Sequence, residues 1–332
     1  MTEKNRKADK RVTVLLAVML VLICIAALAF GSARMDLQGL IGGILKRDGF
    51  ETESTILYSL RLPRLLGAIL AGVGLSCSGV LLQAVTGNSL ASPNIIGVNA
   101  GAGFAVILLM SFFPAAVGAL PFAAFIGAFC TTMLILFLCS KISFSKSTVI
   151  LAGVAVTALL NAAISLISYS DTDLVSLYRD FSVGGLSSLG TERLIVPSFL
   201  IFTGTVAALV AASRIDALCL GDSIALSLGI KVKPLRIFCL IIASLLAGSV
   251  VSFAGLLGFV GLVVPHIAKR LSGESSFRVL MNSSLIGACL VTLSDLFGRI
   301  ILSPTEVPVG IIMSFIGAPF LFYLLLRRKR NA

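Results

Sequence analysis

The chain has 332 residues, of which 58% are hydrophobic and 12% charged. A soluble domain of that length has too little interior to hide so much apolar surface, so its solvent must be lipid. The net charge of +11 would point to nucleic acid in a soluble protein, but here the basic residues stand between apolar runs and report topology instead.

A bilayer crossing takes ~20 apolar residues. The runs at 12–33, 61–86, 95–113, 118–139, 147–169, 193–213, 235–255, 257–272, 280–302 and 307–326 therefore predict one all-α domain, a polytopic transmembrane bundle of about ten helices. The first run, Val12 to Phe30, follows Lys4, Arg6, Lys7, Lys10 and Arg11. It is long for a signal peptide and has no convincing small-x-small cleavage site, so it reads as a retained helix.

Arg61 and Arg64, in Leu60-Arg61-Leu62-Pro63-Arg64, open the second helix. Pro63 suits a first turn, where its missing N–H costs nothing. Three-residue spacing puts both guanidinium groups on one side. They either snorkel to headgroups or dock carboxylates of an extracytoplasmic partner in bidentate pairs. The fifth helix carries Thr157, Asn161, Ser165 and Ser168 as one polar stripe. Such a stripe glues helices together or lines a translocation path.

The connection at 214–235 is the longest on its side. Leu218, Ala225, Leu226 and Leu228, punctuated by Gly221 and Gly229, predict one or two short surface helices where a cytoplasmic partner could push. The apolar stretch from Ile237 to Val264 is either one crossing or two. Both chain ends are basic, the second through Arg327, Arg328, Lys329 and Arg330, so both belong in the cytoplasm and the number of crossings is even. The stretch then splits at Gly255-Leu256-Leu257-Gly258. On this topology 18 of the 26 Lys and Arg residues are cytoplasmic.

His266 reads as a hydrogen-bonded helix-start residue. Asp295 and Arg299, four apart in the ninth helix, satisfy each other, since a lone charge in a span costs ~3 kcal/mol. Arg299 lies near enough to the surface to join Arg61 and Arg64. Glu306, with Pro308 and Gly310, opens the tenth helix, where an acid complements the helix dipole. Ser78-Gly79-Val80-Leu81-Leu82 echoes Phe253-Ala254-Gly255-Leu256-Leu257 in a helix of opposite direction, a sign of an inverted internal repeat.

Seven cysteines without a CxxC and a single histidine give no disulfide or metal framework, and no cofactor is expected in the chain. No GxxxxGK[ST] is present to cradle ATP phosphates, so Leu271-Ser272-Gly273-Glu274 carries no ATPase meaning. The spans hold no series of Asp, Glu or His that would form a proton relay, which weighs against a secondary transporter and against a membrane enzyme.

Four segments taken together carry a resemblance: RLPRLLGAILAGVGLSCSGVLLQ (61–83), NSLASPNIIGVNAGAG (88–103), GLLGFVGLVVPHIAKRL (255–271) and EVPVGIIMSFIGAPFLFYLL (306–325). In order and spacing they resemble the FecCD-type permease family, importers of iron-siderophore, haem and cobalamin. The resemblance implies ten helices per subunit and two permease subunits, identical or related, around a central path. It also implies two cytoplasmic ATPase subunits beneath, where ATP is hydrolysed, and an extracytoplasmic binding protein above. It implies that Arg61, Arg64 and Arg299 face acidic groups of the binding protein. Leu220, Gly221, Asp222, Ser227, Leu228 and Gly229 match the segment seated in the ATPase groove. The family often has Asn-Pro-Leu-Ala-Asp/Glu-Pro where Ser89 and Ser92 replace the first proline and the acid. The expected cargo is an iron-siderophore complex crossing the cytoplasmic membrane, with cobalamin or haem as alternatives and a secondary transporter as the distant rival.

Overall fold

The computed structural model describes residues 3–31, 37–94, 96–142, 145–187 and 189–330. The side chains of Lys4, Arg6, Lys7, Lys10, Arg327, Arg328, Lys329 and Arg330, on which the terminal charge argument rests, lie outside the described residues, as do 32–33 of the first expected span and 95 of the third.

Every regular element among the described residues is helical. In chain order these are α1 (Glu3–Ala29), α2 (Leu37–Ile44), α3 (Glu51–Thr55), α4 (Leu62–Thr86), α5 (Val98–Phe112), α6 (Leu120–Ile142), α7 (Lys146–Ser170) and α8 (Thr172–Val183). After them come α9 (Ile195–Val210), α10 (Ala212–Cys219), α11 (Asp222–Ser227), α12 (Val232–Ala254), α13 (Val260–Ser272), α14 (Ser276–Ile300) and α15 (Val309–Arg330). Seven helical stretches among the described residues are long and apolar enough to cross a membrane: Arg11–Ala29, Glu51–Thr86, Val117–Lys141, Ser147–Ser170, Thr191–Val210, Val232–Ala254 and Ser276–Ile300. Val98–Phe112 and Val309–Leu324 are shorter apolar helices.

Three expectations change. The second helix does not open at Arg61: a π-helical turn over Ile56–Arg61 joins α3 to α4, and the helical path runs unbroken from Glu51. Pro63 offers no N–H to the preceding turn, and a widened turn absorbs the missing bond. The segment 257–272 is helical only from Val260, giving 13 residues, or ~20 Å at 1.5 Å per residue against a hydrocarbon core of ~30 Å. The rest of its length is non-helical chain from Gly255 to Phe259, bonded to the end of α8: Leu256 N donates to Phe181 O at 3.1 Å, and Gly185 N donates to Ala254 O at 2.9 Å. His266 consequently lies inside α13, one residue after the internal Pro265, and not at its start.

The centre of the bundle is α4, packed on α12, α13 and α14. Helices in lipid gain little from mutual apolarity and associate where small residues let backbones touch. A Cβ added at Gly72 would lie 2.2 Å from Gly287 O, and one at Gly79 would lie 2.0 Å from Gly261 O. Only glycine permits these two crossings. At the periphery the pattern reverses: α1 exposes Leu15 and Leu22, and α7 exposes Leu159 and Leu166. These are surfaces for lipid or for a neighbouring protein.

Candidate functional site

Chemistry-bearing side chains gather in three places: at the two ends of α14 and along one flank of the bundle.

At the C-terminal end of α14, three arginines and two carboxylates form a buried cluster. Arg64 Nε lies 2.9 Å from Asp295 Oδ1, and Arg64 Nη1 lies 2.5 Å from Glu306 Oε2. Asp295 Oδ2 accepts a second ion pair, at 3.2 Å, from Arg299 Nε one turn along its own helix. The guanidinium of Arg61 turns the other way, donating from Nη1 to the carbonyls of Leu28 and Ala29, the latter at 2.9 Å. Arg299 Nη1 donates to Ala27 O at 3.1 Å and Phe30 O at 3.3 Å. The last carbonyls of a helix have no partner within it and carry partial negative charge. Two arginines from other helices thus hold the end of α1. Arg61, Arg64 and Arg299 are 5%, 9% and 5% exposed, so they meet as a structural cluster and not as free surface charges. The intrahelical Asp295–Arg299 pair is present, but Asp295 also serves Arg64. Glu306 spends its charge on Arg64.

Beside this cluster is a cavity of about 510 Å³ whose lining includes Arg64, Glu306, Asp180 and Arg193. Asp180 and Arg193 are exposed.

On the flank, α5, α7, α8 and α15 surround a cavity of about 890 Å³. Thr157 and Asn161 line it, together with Asn94, Asn99, Tyr178, Ser182, Phe259, Ser314, Phe315 and Phe322. Among the described residues, no Lys, Arg, Asp, Glu or His contributes to this lining. Asn99 is 9% exposed, and its Oδ1 has no hydrogen-bond partner; neither has the buried Oγ1 of Thr157. Buried polar atoms of this kind are costly to leave unpaired. Burial pushes the Tyr178 phenol above its ordinary pKa, so it remains a neutral hydroxyl. Phe259 enters the wall with φ +64, and the absence of a side chain at Gly317 makes room for its ring. The four-residue polar stripe divides here. Ser165 and Ser168 are not in the lining, and the Ser165 hydroxyl donates to Asn161 O on its own helix at 2.9 Å. Asn94 and Asn99 were the more telling signal, as amides within an otherwise apolar, glycine-rich segment.

At the N-terminal end of α14 lies the segment 212–230, folded as α10 and α11. Gly221 (φ +109) separates the two, and Gly229 (φ +77) follows α11, both in backbone regions that L side chains rarely adopt. Leu220, Leu226 and Leu228 are each more than 60% exposed. Ala225 is fully buried and anchors α11. Asp222 pairs at 2.7 Å with Arg236 Nη2 near the start of α12, and Ser227 only bonds back to Ile224 O at 2.8 Å. Asp216 and Arg236 were not singled out from sequence, because each partner is remote along the chain or sits across a turn.

The family model of the FecCD transport family matches residues 18–327. The chain is 35% identical over 327 residues to the Fe(3+)-citrate import system permease protein YfmE of Bacillus subtilis, covering 98% of this chain and 97% of that one. It is 33% identical over 319 residues to the hemin transport system permease protein HmuU of Yersinia pestis, covering 93% and 95%. A solved inward-facing structure of a metal-chelate type ABC transporter superposes with a TM-score of 0.86 at 27% identity, over 96% of this chain and 99% of that one. Near-complete coverage in family, relatives and structure leads to one conclusion: this chain belongs to the FecCD transport family and is one of its transmembrane permeases.

Proposed function

We propose that the chain is the membrane-spanning subunit of an ATP-binding-cassette importer that passes a ferric siderophore across the cytoplasmic membrane. The observation that carries the reading is the flank cavity: about 890 Å³, walled by neutral amides, hydroxyls and aromatic rings. It suits a bulky polar chelate and, among the described residues, offers no charged group to hold one tightly. A path that binds too tightly does not transport. The chelate classes come from the relatives, one a permease for ferric citrate and one for hemin.

In this reading both termini face the cytoplasm, following the positive-inside rule. Two ATPase subunits grip the exposed leucines of α10 and α11. A second permease subunit closes the flank cavity from the α7 and α15 side. A binding protein docks at the Arg64 end. There the buried arginines shape the surface, while the exposed charges, Arg193 among them, meet the partner and set recognition and on-rate. The chain itself supplies no hydrolysis and needs no cofactor; conformational energy arrives through contacts.

The test is reconstitution with the cognate ATPase and binding protein in liposomes, with uptake measured for a ferric hydroxamate, ferric citrate, haem and cobalamin. ATP-dependent uptake of a ferric siderophore is expected. Uptake of haem or cobalamin alone would reassign the cargo, and ion-driven uptake without the ATPase would replace the importer by a secondary transporter.

A further inference from the structure

A helix begins with N–H groups that have no partner within it, and the residue before the first turn ordinarily supplies one. Helix α14 departs from that habit. Its own N-cap, Ser275, makes no side-chain capping bond. The bond comes from another helix: Asp216 Oδ1, in α10, accepts from Ser276 N at 2.6 Å. The interaction is charge-assisted and aligned with the helix dipole. A residue of α10 thus caps the start of α14.

Both partners of that bond are stiffly mounted. Ile215 and Leu218, on either side of Asp216, are fully buried and fix α10 to the bundle. The 25-residue α14 contains no proline and is ~37 Å long at 1.5 Å per residue. It touches α4 backbone to backbone at Gly72 and Gly287, a contact with no side chain to yield. Its far end holds Asp295 and Arg299, the hub of the buried charge cluster. Just beyond α10, Leu220 is exposed, as is Leu226 in α11.

We propose that Asp216 is the positioning residue through which displacement of α10 and α11 is passed into α14, and so to the opposite end of the bundle. The proposal rests on the reading of α10 and α11 as the ATPase contact. Asp222 and Arg236 provide α12 with a parallel tie, across a partly exposed carboxylate. The tie at Asp216 is the one that leads to the arginine cluster.

The experiment uses the full permease assembled with its ATPase subunits in nanodiscs, with the exposed Cys130 and Cys219 changed to Ser. Leu302→Cys, just beyond the far end of α14 and 59% exposed, reports motion through its maleimide labelling rate with and without ATP. ATP should change that rate in the parent protein. Asp216→Ala should shrink the ATP-dependent change about ten-fold, within the range of ordinary coupling factors, while ATP hydrolysis stays within about two-fold. Asp216→Asn retains an acceptor oxygen and should restore the response. Ser276→Pro removes the same bond from the donor side. Proline is tolerated at a first helical position, so this variant carries the test if Asp216→Ala does not accumulate, and it should behave as Asp216→Ala would.

No ATP-dependent change in the parent, a full response in Asp216→Ala or Ser276→Pro, or failure of Asp216→Asn to rescue would overturn the proposal. Cross-linking from Leu226→Cys to the ATPase separates the two levels. If it is absent, the ATPase contact itself is wrong; if it is present, a negative labelling result condemns the role of Asp216 alone.

Discussion

Arg64 and Asp295, 231 residues apart in sequence, meet side by side in the buried interior between α4 and α14, with Arg64 Nε 2.9 and 3.0 Å from the two carboxylate oxygens. An ion pair removed from water roughly breaks even against a well-packed apolar pair, whereas removing one member leaves an uncompensated charge. The consequences for substitution are specific.

Asp295→Ala should destabilise the purified protein by about 3–5 kcal/mol, because it strands Arg64 and Arg299 together in a buried setting. Thermal unfolding in detergent measures this. The double variant Arg64→Leu/Asp295→Leu should recover a large part of the loss; strictly additive costs would show that the two residues do not act as a pair.

Arg64→Glu brings a third carboxylate against Asp295 and Glu306. Its first effect should be poor accumulation in the membrane. Uptake slowed with normal accumulation and stability would mean that Arg64 faces a partner and not its own cluster. By contrast Arg193→Glu, at an exposed position, should leave stability within about 0.5 kcal/mol while slowing binding-protein association, read by surface plasmon resonance.

Gly72→Ala should cost about 1–3 kcal/mol or more through overpacking, since the new methyl group meets the Gly287 carbonyl and no flexible side chain. Gly118→Ala is the control, with nothing within 4 Å of the added atom. Equal melting temperatures for the two variants would contradict the close crossing of α4 and α14.

Gly221→Leu forces a side chain into a backbone region that is essentially glycine-only and costs an L-residue roughly 1–3 kcal/mol. It leaves the surrounding space open, so the damage should be local to the link between α10 and α11. In the reconstituted transporter, ATP hydrolysis should persist while uptake per ATP falls several-fold. Coupling that survived the change would remove this link from the transmission path.

Asn99→Leu should lower uptake without loss of stability, since its Oδ1 has no partner within the protein, whereas Ser165→Ala should do neither. Transport assays paired with melting curves separate these outcomes.

The all-helical class was legible from apolar runs alone, because lipid permits few other ways of satisfying a backbone. The pairing of Asp295 with Arg299 was legible too, being a matter of one helical turn. The share of Arg64 in that pair was not, since spacing along one helix says nothing about which face meets a helix 231 residues away. The polar stripe of α7 gave Thr157 and Asn161 correctly as neighbours but could not show where the cavity stops. The beginning of α13 escaped because Gly255 and Phe259 adopt positive φ, and for phenylalanine no local propensity announces that. Asp216 reads in sequence as one more surface acid; only the folded chain reveals which amide it holds.

The grip on α1 also bears on how the chain is made. Only 17% of the apolar window of that helix is buried in the bundle, yet its last turn is held by guanidinium groups from Arg61 and Arg299. A ribosome delivers the first of these soon after the helix itself and the second 272 residues after Ala27. The end of α1 is therefore only half-moored until α14 has emerged, and the bundle is completed by closing a ring and not by stacking pieces in sequence.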